Sequence, residues 1–156
     1  MDQEKEWMDE AIRLAAESVH GGGGPFGALV VGDGKVLAYG TNEVTQTLDP
    51  TAHAEILAIR RACGAIDDFR LTGCVLVSSC EPCALCLAAA LWARIDRVVY
   101  AADRNDAAGV GFDDRAFHKQ FFGPRKHWPL EMSQLRTGHE RDPFTAWDQS
   151  PTKVVY

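Results

Sequence analysis

No stretch of this chain is apolar for long enough to cross a membrane as a helix. Nor is there an excess of positive charge: 16 Lys and Arg stand against 22 Asp and Glu, a formal net charge of −6. A protein whose main partner is a nucleic-acid backbone usually carries a basic face, so this balance argues against such a partner. The one basic cluster, Arg125-Lys126-His127, is short and reads as a solvated loop. Internal repeats, low-complexity tracts and a signal peptide are missing too. Cysteine is sparse and odd in number, five in all. With a CxxC among them, this points to a reducing cytoplasm and metal chemistry rather than disulfides. The glycine run 21–24 is not followed by the Lys-Ser/Thr of a phosphate loop. It reads as a turn that lets the backbone pass close to a site.

What is present suits one domain over residues 1–156, large enough for a sizeable core. Trp7, Met8, Ala11, Ile12, Leu14, Ala15 and Val19 make a helical apolar stripe over 2–20. Two short strands, 28–31 and 36–39, flank a hairpin signal at Gly32-Asp33-Gly34-Lys35. Helices are predicted over 52–63, 82–93 and 103–108, with strands over 73–78 and 97–101 between them. The segment 82–93 is apolar nearly all round, which predicts burial. Strands alternating with helices imply parallel pairing. Residues 117–129 look irregular, 130–135 read as a fifth strand, and 143–149 as a terminal helix with Asp142 as its N-cap.

The chemistry concentrates in two short stretches. Cys83 and Cys86, three apart, share one face of a first helical turn, with Pro82 placed as a first helical residue. Unpaired N–H groups and the positive end of the helix dipole favour thiolate there. His53 opens the preceding helix. One His and two Cys leave a fourth tetrahedral position for water, the arrangement of a catalytic zinc, and zinc lets that water ionise near neutral pH. Glu55, two residues beyond the His, is placed to carry the proton. Two plainer readings stay open: a closed structural zinc with Cys80, Cys74 or Cys63 as fourth ligand, or reduced cysteines simply buried in a core. Asn42 is a further candidate, since an amide both donates to and accepts from a heterocycle edge. It could equally satisfy its own turn.

HxE followed by PCxxC matches the signature of zinc-dependent nucleobase deaminases, and the order of elements resembles the cytidine deaminase superfamily. More narrowly, the chain is similar to bacterial guanine deaminases. The matching pieces are Gly24-Pro25-Phe26-Gly27-Ala28, Asn42, Asp49-Pro50-Thr51-Ala52-His53-Ala54-Glu55, Ser79-Cys80-Glu81-Pro82-Cys83-Ala84-Leu85-Cys86 and Trp92-Ala93-Arg94. Further on come Asp106-Ala107-Ala108, Gly111-Phe112-Asp113-Asp114, Pro143-Phe144-Thr145-Ala146-Trp147 and the final Tyr156. The resemblance implies an α/β fold of three layers, α/β/α, around a five-stranded mixed sheet. It implies Zn2+ on His53, Cys83 and Cys86, and Glu55 as proton shuttle in the hydrolytic deamination of guanine to xanthine and ammonia. Phe26, Asn42, Ala54, Trp92, Asp114 and Tyr156 are implied as substrate-binding residues, with Tyr156 closing the pocket. It also implies a homodimer whose C-terminal segment, about 140–156, can be exchanged between subunits. The family carries a Glu shortly before the Pro-Phe of its last helix. Here an ungapped count puts His139 at that place, with Glu140 next to it. Other heterocycles or nucleosides (guanosine, cytosine, a pterin, a triazine), a tRNA adenosine, and a non-catalytic binding module are the competing readings.

Overall fold

The computed structural model describes residues 2–156. They fall into two compact units, Met1–His118 and Lys119–Tyr156.

The first unit begins with helix α1 (Asp2–His20). Strands β1 (Gly24–Gly32) and β2 (Lys35–Asn42) follow as an antiparallel hairpin. Its turn puts Asp33 at φ 49° and Gly34 at φ 71°. Successive positive φ values suit the twist of flanking strands, and Asp-Gly tolerates them. After a single turn, α2 (Val44–Thr47), comes α3 (Ala54–Ile66). Then follow β3 (Val75–Cys80), α4 (Ala84–Trp92), β4 (Arg97–Ala102) and α5 (Arg104–Ala108). The sheet order is β2-β1-β3-β4. The β3–β4 pair is parallel with α4 as its crossover, whereas β1 and β3 run antiparallel.

Alternation along the strands builds the layers. Ala28, Val30 and Leu76 point to one face, where they pack with Ala54, Ala58, Ile59 and Ala62 of α3 and Ala90 of α4. Leu29, Val31 and Val77 point to the other, against Ala11, Trp7, Met8 and Leu14 of α1. The architecture is therefore the expected three-layer α/β/α, with α1 on one side of the sheet and α3 and α4 on the other.

The second unit holds the end of α6 (Arg115–Phe122), a 3-10 turn (Arg125–His127) and α7 (Asp142–Gln149). None of residues 119–156 is buried.

Several expectations need correction. Among the described residues the mixed sheet has four strands, not five. Residues 130–135 alternate in polarity but have no regular structure, because a strand exists only against a neighbour's edge. Residues 117–122 lie in helix α6 where irregular chain was expected. Asp142 is the first residue of α7, with Arg141 as N-cap. Pro82 lies just outside α4, whose N-cap is Cys83. Nor is α4 buried all round: Leu85, Leu87, Leu91 and Trp92 are exposed, and only Cys86 and Ala90 are buried.

Candidate zinc and substrate site

The N-termini of α3 and α4 converge beyond the ends of the sheet. His53 is the N-cap of α3 and Cys83 the N-cap of α4, and Cys86 follows within the first turn of α4. His53 Nδ1 lies 3.5 Å from Cys83 Sγ and 3.5 Å from Cys86 Sγ, and the two sulfurs are 3.6 Å apart. A tetrahedral zinc, with Zn–S of about 2.3 Å and Zn–N of about 2.0 Å, sets these edges at about 3.5 Å and about 3.8 Å. The triangle thus already has the dimensions the ion requires. Burial and donor chemistry agree: Cys86 is wholly buried, and the imidazole also hydrogen-bonds the Pro50 carbonyl, a contact that fixes ring orientation in metal sites.

The closed structural alternative loses its fourth ligand. Among the described residues, the only group of three or more metal-ligating side chains is His53, Cys83 and Cys86. Cys80 Sγ instead donates to the Asp103 carbonyl at 3.7 Å, and Cys63 Sγ to that of Phe69 at 3.7 Å. Burial pushes the Cys80 thiol up to about 11, away from the thiolate form a ligand needs. Three ligands remain, with one position open.

Electrostatics within the triangle follow from its closeness. The two sulfurs make a short contact of 3.6 Å. This and the His53 hydrogen bond hold Cys83 down at about 4, whereas Cys86 is driven up by the Cys83 contact and by burial. His53 is raised by the Cys83 sulfur beside it. A metal entering this site displaces those protons.

Glu55 is 5% exposed, which for a carboxylate signals a purpose. Burial raises its pKa. Its Oε1 accepts a hydrogen bond from Ser78 Oγ at 3.1 Å, and the Cys86 thiol also hydrogen-bonds its side chain. Ala54, fully buried between His53 and Glu55, sets the phase that turns one residue to the metal triangle and the other to the sheet.

The remaining candidates are placed as follows. Asn42 ends β2 and is 8% exposed. Its Oδ1 accepts the Val44 N–H at 3.3 Å, so the turn occupies the oxygen. Phe26, in β1, meets Phe112 edge-on, with centroids 5.0 Å apart and planes at 88°. This ties the Gly-Phe-Asp-Asp stretch to the sheet. Asp114 Oδ2 is held by His118 Nε2 at 3.1 Å, and its charge reaches Cys80 and Arg104. Trp92 closes α4 and is exposed. His139, Glu140 and Tyr156 belong to the second unit. There Glu140 accepts from the Thr137 and Gly138 N–H groups and from Arg136. His139 Nδ1 lies 3.2 Å from Asp142 Oδ2, and Tyr156 is exposed.

Three contacts escaped the sequence reading. Ser78 under Glu55 leaves no sequence signal, because it is made across a sheet–helix interface. His118 lies four residues past Asp114, a spacing that places both on one helical face. Glu81 accepts from Arg104 at 2.6 Å and from its backbone N–H at 3.0 Å, pinning the segment before Cys83 to the start of α5.

The family model of the cytidine and deoxycytidylate deaminase zinc-binding region matches residues 1–102. The chain belongs to this family. It is 44% identical over 151 residues to a guanine deaminase of Bacillus subtilis, covering 96% of this chain and 97% of that one. The X-ray structure of a Bacillus subtilis guanine deaminase superposes with TM-score 0.94 at 43% identity, covering 97% of this chain and 98% of that one. A tRNA-specific adenosine deaminase of Aquifex aeolicus is 38% identical over 104 residues, 67% of this chain and 69% of that one. The structure of a protein called NE0047 in complex with 2,6-diaminopurine matches at TM-score 0.67 and 36% identity, over 69% of this chain and 61% of that one. The chain is a zinc-dependent deaminase of the α/β cytidine-deaminase-like fold, an aminohydrolase.

Proposed function

We propose that this enzyme hydrolyses guanine to xanthine and ammonia. The observation that carries the reading is the His53–Cys83–Cys86 triangle, of zinc dimensions and open on one side, with the buried Glu55 carboxyl beside it. The reach of the similarity supports guanine in particular: the guanine deaminase aligns over 151 residues, the tRNA deaminase over 104.

His53, Cys83 and Cys86 would hold the zinc. Bound there, the ion would supply Lewis acidity that lets a water ionise near neutral pH. Glu55 takes the proton of the attacking water as oxygen adds to C2 of guanine. It then gives that proton to a ring nitrogen, takes the remaining proton of the added hydroxyl, and delivers it to the amine as the C2–N bond breaks and the C2 carbonyl forms. A raised carboxyl pKa suits both directions of transfer. Because the Oδ1 of Asn42 is taken by Val44, its amide faces the purine as a donor. Phe26 and Trp92 supply apolar contact to the ring, and Asp114 accepts from an N–H of it. Tyr156 covers the pocket.

The working form is a homodimer in which C-terminal segments are exchanged. Large apolar side chains exposed in the second unit support this, Phe122 at 94%, Leu135 at 85% and Val155 at 80% among them. So does an apolar cleft of about 330 Å³ in the first unit, lined by Ile12, Ala15, Phe26, Cys80, Ala101 and Val110. Apolar surface of this kind marks an interaction site. Free cysteines and thiol ligands fit a reducing cytoplasm.

Ammonia release tests the substrate, with guanine run beside guanosine, cytosine and a tRNA anticodon stem-loop. Turnover of guanine alone is expected. Silence on guanine with turnover of another heterocycle would move the assignment, and His139 in place of a Glu is the feature that favours that second reading. Mixing inactive Glu55→Gln subunits with subunits truncated before Tyr156 tests the exchange. Recovered activity is expected, and none would be seen if each tail served its own subunit.

A further inference from the structure

We propose that Ser78 is a positioning residue for the reaction, holding the Glu55 carboxylate in the orientation from which it takes and returns protons. This rests on Glu55 being the proton shuttle. Ser78 lies in β3, paired with Ala28 of β1 and Tyr100 of β4, and is 2% exposed. It is one of two adjacent buried hydroxyls that the strand presents to its two faces. Ser79 Oγ accepts the Gly27 N–H at 3.1 Å and fixes the backbone beside Phe26. Ser78 Oγ turns to the α3 face and donates to Glu55 Oε1 at 3.1 Å.

The direction of donation gives the contact its role. A serine hydroxyl is a single donor, and here it is spent on one carboxylate oxygen. Ser78 thereby fixes Oε1, beside the contacts that the carboxyl makes with the Cys86 thiol and with its own backbone N–H. The donor sits in β3, an interior strand of the sheet with β1 on one side and β4 on the other. Glu55 has helix α3 behind it, a long side chain and no ion-pair partner among the described residues. Terminal carboxyl torsions are broad, and without Ser78 only the Cys86 thiol and the backbone N–H of Glu55 restrain this one. Partners that orient the ligands of a metal site affect activity by about 10- to 100-fold, and the same scale is expected for a partner that orients Glu55.

The test uses full-length, zinc-loaded protein. Ser78→Ala is expected to lower kcat by about 10- to 100-fold, with KM within about twofold of the parent by the same reasoning. Zinc content and the affinity for 8-azaguanine, a ligand seen in a solved structure of NE0047, are expected to stay unchanged. Ser78→Thr, which keeps the hydroxyl, is expected to recover most of the rate. In single-turnover measurements, adding Ser78→Ala to Glu55→Gln should change the residual rate little, because the two act through one group. Parental kcat in Ser78→Ala beside an inactive Glu55→Gln would overturn the proposal, as would fully multiplicative losses in the double variant. An active Glu55→Gln would overturn the shuttle reading itself.

Discussion

Gly40 of β2 lies directly against the Ala54 carbonyl at the start of α3, so closely that a β-carbon on Gly40 would overlap that oxygen and come within 2.7 Å of the Ala58 nitrogen. Strand and helix can approach to this distance only because no side chain intervenes. The contact sets the depth at which α3 enters the fold, and with it the height of His53 and Glu55 above the sheet.

Gly40→Ala should therefore act on the site from a distance. Overpacking of this kind costs about 1–3 kcal/mol, and α3 has to shift to relieve it. A lower Tm is expected together with weaker zinc binding, measured by competition with a chromophoric chelator. A variant of parental Tm and parental zinc affinity would show that α3 does not depend on this approach.

Glu55→Gln should keep its zinc and its fold and lose turnover. General acid–base catalysis contributes about 10²–10⁴-fold, and both proton transfers run through this one carboxyl. Metal analysis beside steady-state ammonia release checks the pairing of the two outcomes.

Asp114→Ala should impair use of the substrate by about 10²-fold in kcat/KM, the scale of a lost buried polar contact to a ligand. Zinc content should not change, because Asp114 lies outside the metal group. His118→Ala, which frees the carboxylate at one end of its 3.1 Å contact, should give a smaller loss in the same direction. A zinc-free Asp114→Ala protein would contradict the division of labour.

Glu81 provides a pH test of the frame around Cys83. Its hydrogen bonds to the Arg104 side chain hold its pKa below the usual carboxylate range. A depressed folded pKa stabilises the native state above the unfolded value, about 4.3, and the contribution disappears as pH falls through the folded value. Glu81→Gln should accordingly have a lower Tm than the parent at pH 7. The two Tm values should converge as pH falls through the depressed folded pKa of Glu81, below which the parent's carboxyl is protonated as well. A difference in Tm that persisted unchanged at pH 3 would mean that packing, and not charge, carries the effect.

Much of the fold and of the metal triangle is legible in the sequence because both rest on local periods. The unbroken apolar run Ala28–Val31 marks a strand buried on two faces, Asp33-Gly34 marks its turn, and a cysteine pair spaced by three needs only one helical turn to face inward. His53 is harder to read, since nothing local ties it to residue 83. It becomes readable through the recurrence of a whole motif. Ser78, Gly40 and Phe112 stay hidden for the same reason in sharper form. Each matters through a contact between elements far apart in the chain, and single-residue identity carries no trace of it. Residues 130–135 show the converse. Their alternation states a local preference for strand, and a preference becomes a strand only where another strand offers hydrogen bonds.

Finally, His53 and Cys83 are 30 residues apart. An ion held between them ties the chain into a loop that encloses α3 and β3. In the entropy model used for cross-links, closing a loop of that length removes about 3–4 kcal/mol of freedom from the unfolded chain. The metal is thus a topological fastener as well as a reagent. Segment 54–82 is the part of the polypeptide that should resist proteases while the clasp is shut and yield to them first once a chelator opens it.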